Sequence, residues 1–288
     1  IGATLLTAAI LWLRGGLASA LPGSRNGRFD LPGSVVLFTT LFIFIMALSF
    51  ARVNGWLSAP VLFLFSTSAV LGLIFAWGMK RGRFTIFPRG LTAFSGFKLG
   101  ASSNLLLTLA SFVMWFLFPF YVVDVMGRSG FVLGVLLALM AAANFAGSAI
   151  SGWLADRIGD RQITFAGAVV TGCGLLLAGT TGGTPTMGAV VFATVVLGFG
   201  FGIHQAAVYS LTLRGTPSRH AGASSAALSV SQTIGTVLSI ALMTTLLNWQ
   251  QSANGGSFIE AYRFSYIAAA GIAVLAGAVV FKMPANKT

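Results

Sequence analysis

Acidic side chains are nearly missing from this chain: Asp30, Asp124, Asp156, Asp160 and Glu260 are the whole set among 288 residues. Charged residues of both signs make up 8%, against roughly a quarter in an average soluble domain. So little charge cannot cover a water-facing surface, and with 56% apolar residues the solvent for most of the surface must be lipid. Cysteine occurs once, as Cys173 inside an apolar run, which excludes an intrachain disulfide and a cysteine metal site. A lone thiol there reads as a small, inert hydrophobe. The chain has no G-x-x-x-x-G-K-[ST] phosphate loop, so it carries no nucleotide-hydrolysing motif of that kind. No Ser/His/Asp set and no two-histidine spacing converges on one face. The expectation is therefore a protein that is not an enzyme, with no metal site and no cofactor.

What is present is basic and greasy. The net charge of +12 does not read as a nucleic-acid footprint, because the lysines and arginines punctuate apolar runs instead of lining a soluble face. Full spans are expected at about 33–52, 57–79, 99–123, 130–153, 163–181, 186–211, 222–248 and 264–282. A spanning helix needs about 20 apolar residues, and backbone groups in lipid must be satisfied within their own segment, so these spans are helices. Their continuity excludes alternating barrel strands. The apolar run 1–13 is too short to span and lacks the features of a signal peptide. It reads as the end of a truncated transmembrane helix, with more chain upstream.

Charge placement gives the topology. With loops assigned alternately to two sides, residues 14–32, 80–98, 154–162, 212–221 and the C-terminal tail carry fourteen of the seventeen basic residues, leaving Arg52, Arg128 and Arg263 opposite. The richer side is expected to be cytoplasmic, together with the C-terminus. Trp56, Trp153 and Trp249 fall at span ends, where amphipathic rings favour the headgroup region. Asp30-Leu31-Pro32 reads as a helix start, a capping carboxylate followed by proline in the first turn. Segment 84–97 reads either as an interfacial stretch or as a plain loop.

Residues 152–161, GWLADRIGDR, are placed on a short cytoplasmic turn between two spans. Gly159 suits a tight turn. Asp156 can cap a neighbouring helix N-terminus or pair with Arg157 or Arg161. The ordered spacing resembles the loop signature of the major facilitator superfamily, matched by Gly152, Leu154, Asp156, Arg157, Gly159 and Arg161. Asp160 departs from it, because that family usually has a basic residue there. The stretch Arg28-Phe29-Asp30-Leu31-Pro32-Gly33 resembles the entry to the extra helix pair of the fourteen-span drug:proton antiporters (EmrB/QacA type). Ala221-Gly222-Ala223-Ser224-Ser225 with Gln232-Thr233-Ile234-Gly235 looks like the eleventh core helix.

The resemblance implies an all-α polytopic membrane protein: a truncated helix at 1–13, a cytoplasmic linker at 14–32, an extra transmembrane helix pair at 33–79, a basic linker at 80–98, and a C-terminal six-helix transporter half at 99–288. That half would hold two inverted three-helix repeats, 99–181 and 186–282. It also implies that the N-terminal half, with the main proton-linked carboxylates, is a missing partner. Asp156 would face that half, and the helix starting near Ala221 would receive the matching loop from it.

Polar groups within the spans are the candidates for a substrate cavity. His204 is the ionisable side chain well inside a span; it can line a cavity, relay protons, or bond to a neighbouring helix. Gln205 precedes Tyr209 by four residues, so the two share a face. Asn104 and Gln232 read equally as cavity liners and as interhelical bonds. Gly198 and Gly202, the stripe Asn144, Ser148 and Gly152, and the stripe Ser231, Gly235 and Ser239 have the small-xxx-small spacing of close helix packing. Trp115, Phe116, Phe118, Phe120 and Tyr121 form either an aromatic wall for flat, hydrophobic or cationic compounds or a lipid-facing belt.

The expected function is proton-coupled efflux of hydrophobic or cationic drugs and toxic compounds across the cell membrane, with the lipid bilayer, protons and the missing half as partners and no nucleic acid. A carrier of another solute, such as a metabolite exporter, and a non-transport membrane scaffold remain as alternatives.

Overall fold

The computed structural model describes residues 30–55, 58–84, 94–181, 186–217, 220–253 and 257–282. The chain divides into Ile1–Leu31 and Pro32–Thr288, and of the first unit only Asp30 and Leu31 belong to the described residues. The expected stub at 1–13, the linker at 14–29, Trp56, segment 85–93, the side chain of Trp249 and the tail beyond Lys282 lie outside them.

Eight helices are long and apolar enough to cross a membrane among the described residues: α1 (Leu31–Asn54), α2 (Ala59–Arg81), α3 (Ser95–Phe120), α4 (Gly130–Ile158), α5 (Asp160–Thr180), α6 (Met187–Arg214), α7 (Ala221–Ala253) and α8 (Phe258–Phe281). The shortest has 21 residues, about 32 Å at 1.5 Å per residue, enough for a hydrocarbon core of about 30 Å. Within α3–α8, serine and threonine hydroxyls largely bond back to their own helix, as Thr171 to Gly167 and Thr194 to Val190. This leaves few polar atoms facing lipid.

The helices overrun the expected spans at polar ends. α8 starts at Phe258 instead of near residue 264, because the Ser257 hydroxyl accepts the Glu260 N–H at 3.5 Å. The Ser-x-x-Glu cap tolerates Glu260 and Arg263 in the first turns. The linker expected at 80–98 is shorter, because α2 continues to Arg81 and α3 begins at Ser95. Ser95, Gly96 and Phe97 therefore belong to a spanning helix and not to an interfacial stretch.

The C-terminal end of α3 is irregular for a local reason. Pro119 lies inside the helix and has no N–H to give. A π-helical turn follows at Tyr121–Val125, closed by Met126 N–H to the Tyr121 carbonyl at 3.0 Å. There Tyr121 is buried and donates its hydroxyl to the Thr181 carbonyl at 2.5 Å. Its ring stacks on Tyr262, centroids 4.6 Å apart, and Tyr262 meets Tyr266 at 4.4 Å. The main core runs from this tyrosine trio down through Leu117, Met114, Leu107, Leu175 and Leu197.

Helices α3–α8 pack in a two-fold pattern. α4 lies mainly on α6, as α7 lies on α3; α5 lies on α6, as α8 lies on α3; and α5 meets α8. Sequential neighbours α4–α5 and α7–α8 touch much less. Each triplet is thus completed by the other, the arrangement of inverted repeats. Lipid offers no hydrophobic drive between helices, so close backbone approach supplies the attraction. A Cβ at Gly198 or Gly202 would overlap the carbonyl oxygens of Met140 and Asn144 on α4. At α3–α7, a Cβ at Gly235 would stand 2.6 Å from the Leu105 carbonyl oxygen. The Gly198/Gly202 and Ser231/Gly235 spacings are therefore packing seams.

Candidate functional site

The ends of α4, α6 and α8 that carry Arg157, Arg214 and Lys282, with Lys98 and Arg161 at the starts of α3 and α5, make one basic end of the bundle. The signature lies here, but not on a turn. α4 runs to Ile158 and α5 starts at Asp160, so Gly152–Arg157 is helical and Gly159 alone is the connection. Its φ of 102° lies where glycine is favoured. No atom lies within 4 Å of a built Cβ, so the backbone and not space demands glycine.

Each signature residue besides the Gly159 joint has a definite neighbour, with one exception. Leu154 packs on the small cluster of Ala155, Ile163, Ile203 and Ala207. Arg157 lies over the Trp153 ring at 4.0 Å, one helical turn away. Arg161 lies over the Phe281 ring at 4.8 Å and donates to the Phe281 carbonyl, so the start of α5 holds the end of α8. Gly152 is the exception: it is exposed with nothing nearby. The stripe Asn144, Ser148, Gly152 therefore meets α6 only at its first two members, Ser148 donating to the Gly202 carbonyl at 3.2 Å.

The partner of Asp156 is neither Arg157 nor Arg161. Arg214, in the last turn of α6, reaches Asp156 Oδ1 with Nη2 at 3.1 Å and Asp160 Oδ2 with Nε at 3.4 Å. The two expected arginines are turned away by their aromatic neighbours. Asp156 stays 68% exposed and Asp160 only 8%. Asp160 opens α5, where the partial positive charge of a helix N-terminus favours a carboxylate. The family departure noted at Asp160 is thus part of a three-residue ion cluster joining α4, α5 and α6. Arg214 was missed from the sequence; its position as the last-turn base of a helix on the same side was the available signal.

Deeper in the bundle, His204 is 1% exposed. Its Nε2 lies 3.0 Å from Ser103 Oγ, and Ser103 donates to the Ala276 carbonyl at 2.7 Å. The hydroxyl proton being used on that carbonyl, Nε2 is assigned as the protonated nitrogen that donates to Ser103. One chain of bonds therefore ties α6, α3 and α8. Asn104, 2% exposed, donates through Nδ2 to the Leu228 carbonyl and to Ser231 Oγ, both at 3.0 Å, on α7. Successive residues on a helix point about 100° apart, so the Ser103–Asn104 pair anchors α3 to three helices. Sequence reading singled out Asn104 and His204 but missed Ser103, their common neighbour.

Asn144, Gln205, Tyr209 and Gln232 are each half-buried, Asn144 beside Gly202. The aromatic row of α3 splits. Phe118 and Tyr121 are in the core, while Trp115 and Phe120 are each 48% exposed, Trp115 stacked on Phe112 at 6.3 Å. Trp115 lies 11 positions from Asn104, about 16 Å along the axis. The candidates thus occupy two depths of the bundle and not one pocket. The chemistry available is hydrogen bonding and aromatic contact.

Lipid-length helices, an inverted pairing of two triplets and an ion cluster at the basic end define a polytopic membrane protein of the carrier type. Residues 79–240, more than half of the chain, match the Major Facilitator Superfamily, and the chain belongs to that family. It is 26% identical over 89% of its length to "Uncharacterized transporter YebQ" of Escherichia coli (strain K12), covering 55% of that protein. It is 24% identical over 76% of its length to "Tetracycline resistance determinant" of Streptomyces rimosus, covering 63%. It is 23% identical over 77% of its length to "Multidrug resistance protein Stp" of Mycobacterium tuberculosis (strain ATCC 25618 / H37Rv), covering 41%. The chain spans about half the length of the curated relatives it matches.

Proposed function

We propose that the chain is the C-terminal portion of a proton-coupled exporter of hydrophobic or cationic compounds, of the fourteen-span drug:proton antiporter type. The observation that carries this reading is the resistance role printed in the names of two relatives on a chain of carrier fold. In this reading α1–α2 are the extra pair and α3–α8 the C-terminal half, in the cell membrane with the C-terminus cytoplasmic. An N-terminal half supplies the main proton carboxylates and the other wall of the cavity. The exposed Trp115 face of α3, with Asn144, Gln205, Tyr209 and Gln232, supplies this wall. Stacking and cation–π attraction select flat or cationic solutes. Asn104 and His204 hold the wall in shape.

The test is efflux of a fluorescent cationic dye from cells carrying or lacking the full-length protein, with and without a protonophore. The reading expects several-fold lower dye retention in carrier-positive cells, abolished by the protonophore. Unchanged retention together with a secreted metabolite points to a carrier of another solute. Dye efflux that survives the protonophore removes the proton coupling.

A further inference from the structure

We propose that the basic end of α2 holds one anionic phospholipid of the cytoplasmic leaflet, with an acyl chain along the helix and the phosphate among Lys80, Arg81 and Arg83. A shallow, open groove lies along α2, lined by Val70, Leu73, Ile74, Ala76, Trp77 and Lys80. Val70, Leu73, Ile74 and Trp77 follow helical spacing on one face, and the row ends at Lys80 and Arg81. From Val70 to Lys80 is about 15 Å along the axis, half of a hydrocarbon core of about 30 Å. The apolar row is thus one leaflet long and ends in positive charge.

The charge is gathered, not scattered. Arg81 lies over the Trp77 ring at 4.0 Å. Gly82, with φ 72°, then turns the chain, its N–H and that of Arg83 bonding back to the Met79 and Gly78 carbonyls. This brings Arg83 to 5.6 Å from the same ring. Stacking fixes a guanidinium plane while its edge donors stay free for a phosphate. Two guanidiniums at one indole, with Lys80 one helical turn along from Trp77, repel one another, and residues 59–84 contain no acid to offset them. An anion with an apolar tail complements both parts of the groove; a zwitterionic lipid brings its own cation and does not.

The experiment is native mass spectrometry of the purified full-length protein incubated with dioleoyl phosphatidylglycerol or dioleoyl phosphatidylcholine. One phosphatidylglycerol retained at least tenfold better than phosphatidylcholine is expected. Each basic residue near an anionic surface contributes about fivefold. R81Q/R83Q should therefore remove that preference, bringing the two lipids to within a few-fold of each other, while R128Q/R263Q at the other end leaves it unchanged. A phosphatidylglycerol with a photoactivatable acyl chain, used on the unmodified protein, should crosslink between Val70 and Trp77. Equal retention of the two lipids, an undiminished preference in R81Q/R83Q, or crosslinks confined to other helices would each overturn the proposal. So would displacement by inorganic phosphate alone, since that makes the apolar groove irrelevant.

Discussion

α2 and α3 have the same mean hydropathy over their most apolar stretch, 2.1, yet 11% of that stretch is buried in α2 and 61% in α3. Hydropathy reports which segments lie in lipid; it does not report which pack together. The difference lies in what interrupts the apolar run. α3 has Gly100, Ser103, Asn104 and Thr108, all meeting other helices or buried. In α2, Ser66 and Thr67 bond only to carbonyls of their own helix, and Phe63 and Leu73 are each 70% exposed. The link from α2 to α1 is light: Ser68 to the Thr40 carbonyl at 3.1 Å, and the edge-on pair Phe44–Phe65.

Substitutions can break this contrast. The largest effect is expected at Gly202, where G202L drives a side chain into the α4 backbone and should lower stability by about 3 kcal/mol or more. G72A in α2 meets only Thr40 Cγ2 at 3.7 Å and should be neutral or slightly stabilising, since alanine is the better helix former. Thermal unfolding of the two variants in detergent checks the pair, and equal losses would erase the distinction. Next comes H204A, which leaves a void and removes the N–H donor to Ser103 Oγ; about 2 kcal/mol is expected. H204Q, which keeps a donor toward Ser103, should recover part of it.

N104L removes two bonds to α7 and should cost about 1–2 kcal/mol, against no measurable change for S66A on α2. The smallest effects belong to the ion cluster. A double-mutant cycle on Asp156 and Arg214 should give less than about 1 kcal/mol, because the pair is exposed. The cycle on Asp160 and Arg214 should give more, because Asp160 is buried. A reversed order would mean that Asp156 is the anchoring carboxylate.

Much of the fold was legible because lipid imposes a simple rule, long apolar runs bounded by charge. All eight spans follow from it, and so does the basic end. The signature residues and Gly159 were visible as spacing. Helix ends were less so: α4 continues through Asp156 and Arg157 because charged residues are at ease in a helix once it leaves the hydrocarbon. The turn after Pro119 was legible in principle from the proline alone. Pairings were not legible. Arg157, Arg161 and Arg214 are equivalent as charges on one side, and only the packing of Trp153 and Phe281 decides which is left for Asp156. The aromatic row of α3 likewise reads as one wall until the helix is seen to put Phe118 and Tyr121 on a different side from Trp115.

The single-residue joint at Gly159 leaves no slack between α4 and α5. Any tilt of α4 must drag the N-terminal tip of α5, and through the Arg161 clasp on Phe281 the tip of α8 follows. α4, α5 and α8 are thus coupled at this end, α6 joins them through Arg214, and a displacement of one tip is passed on to the others.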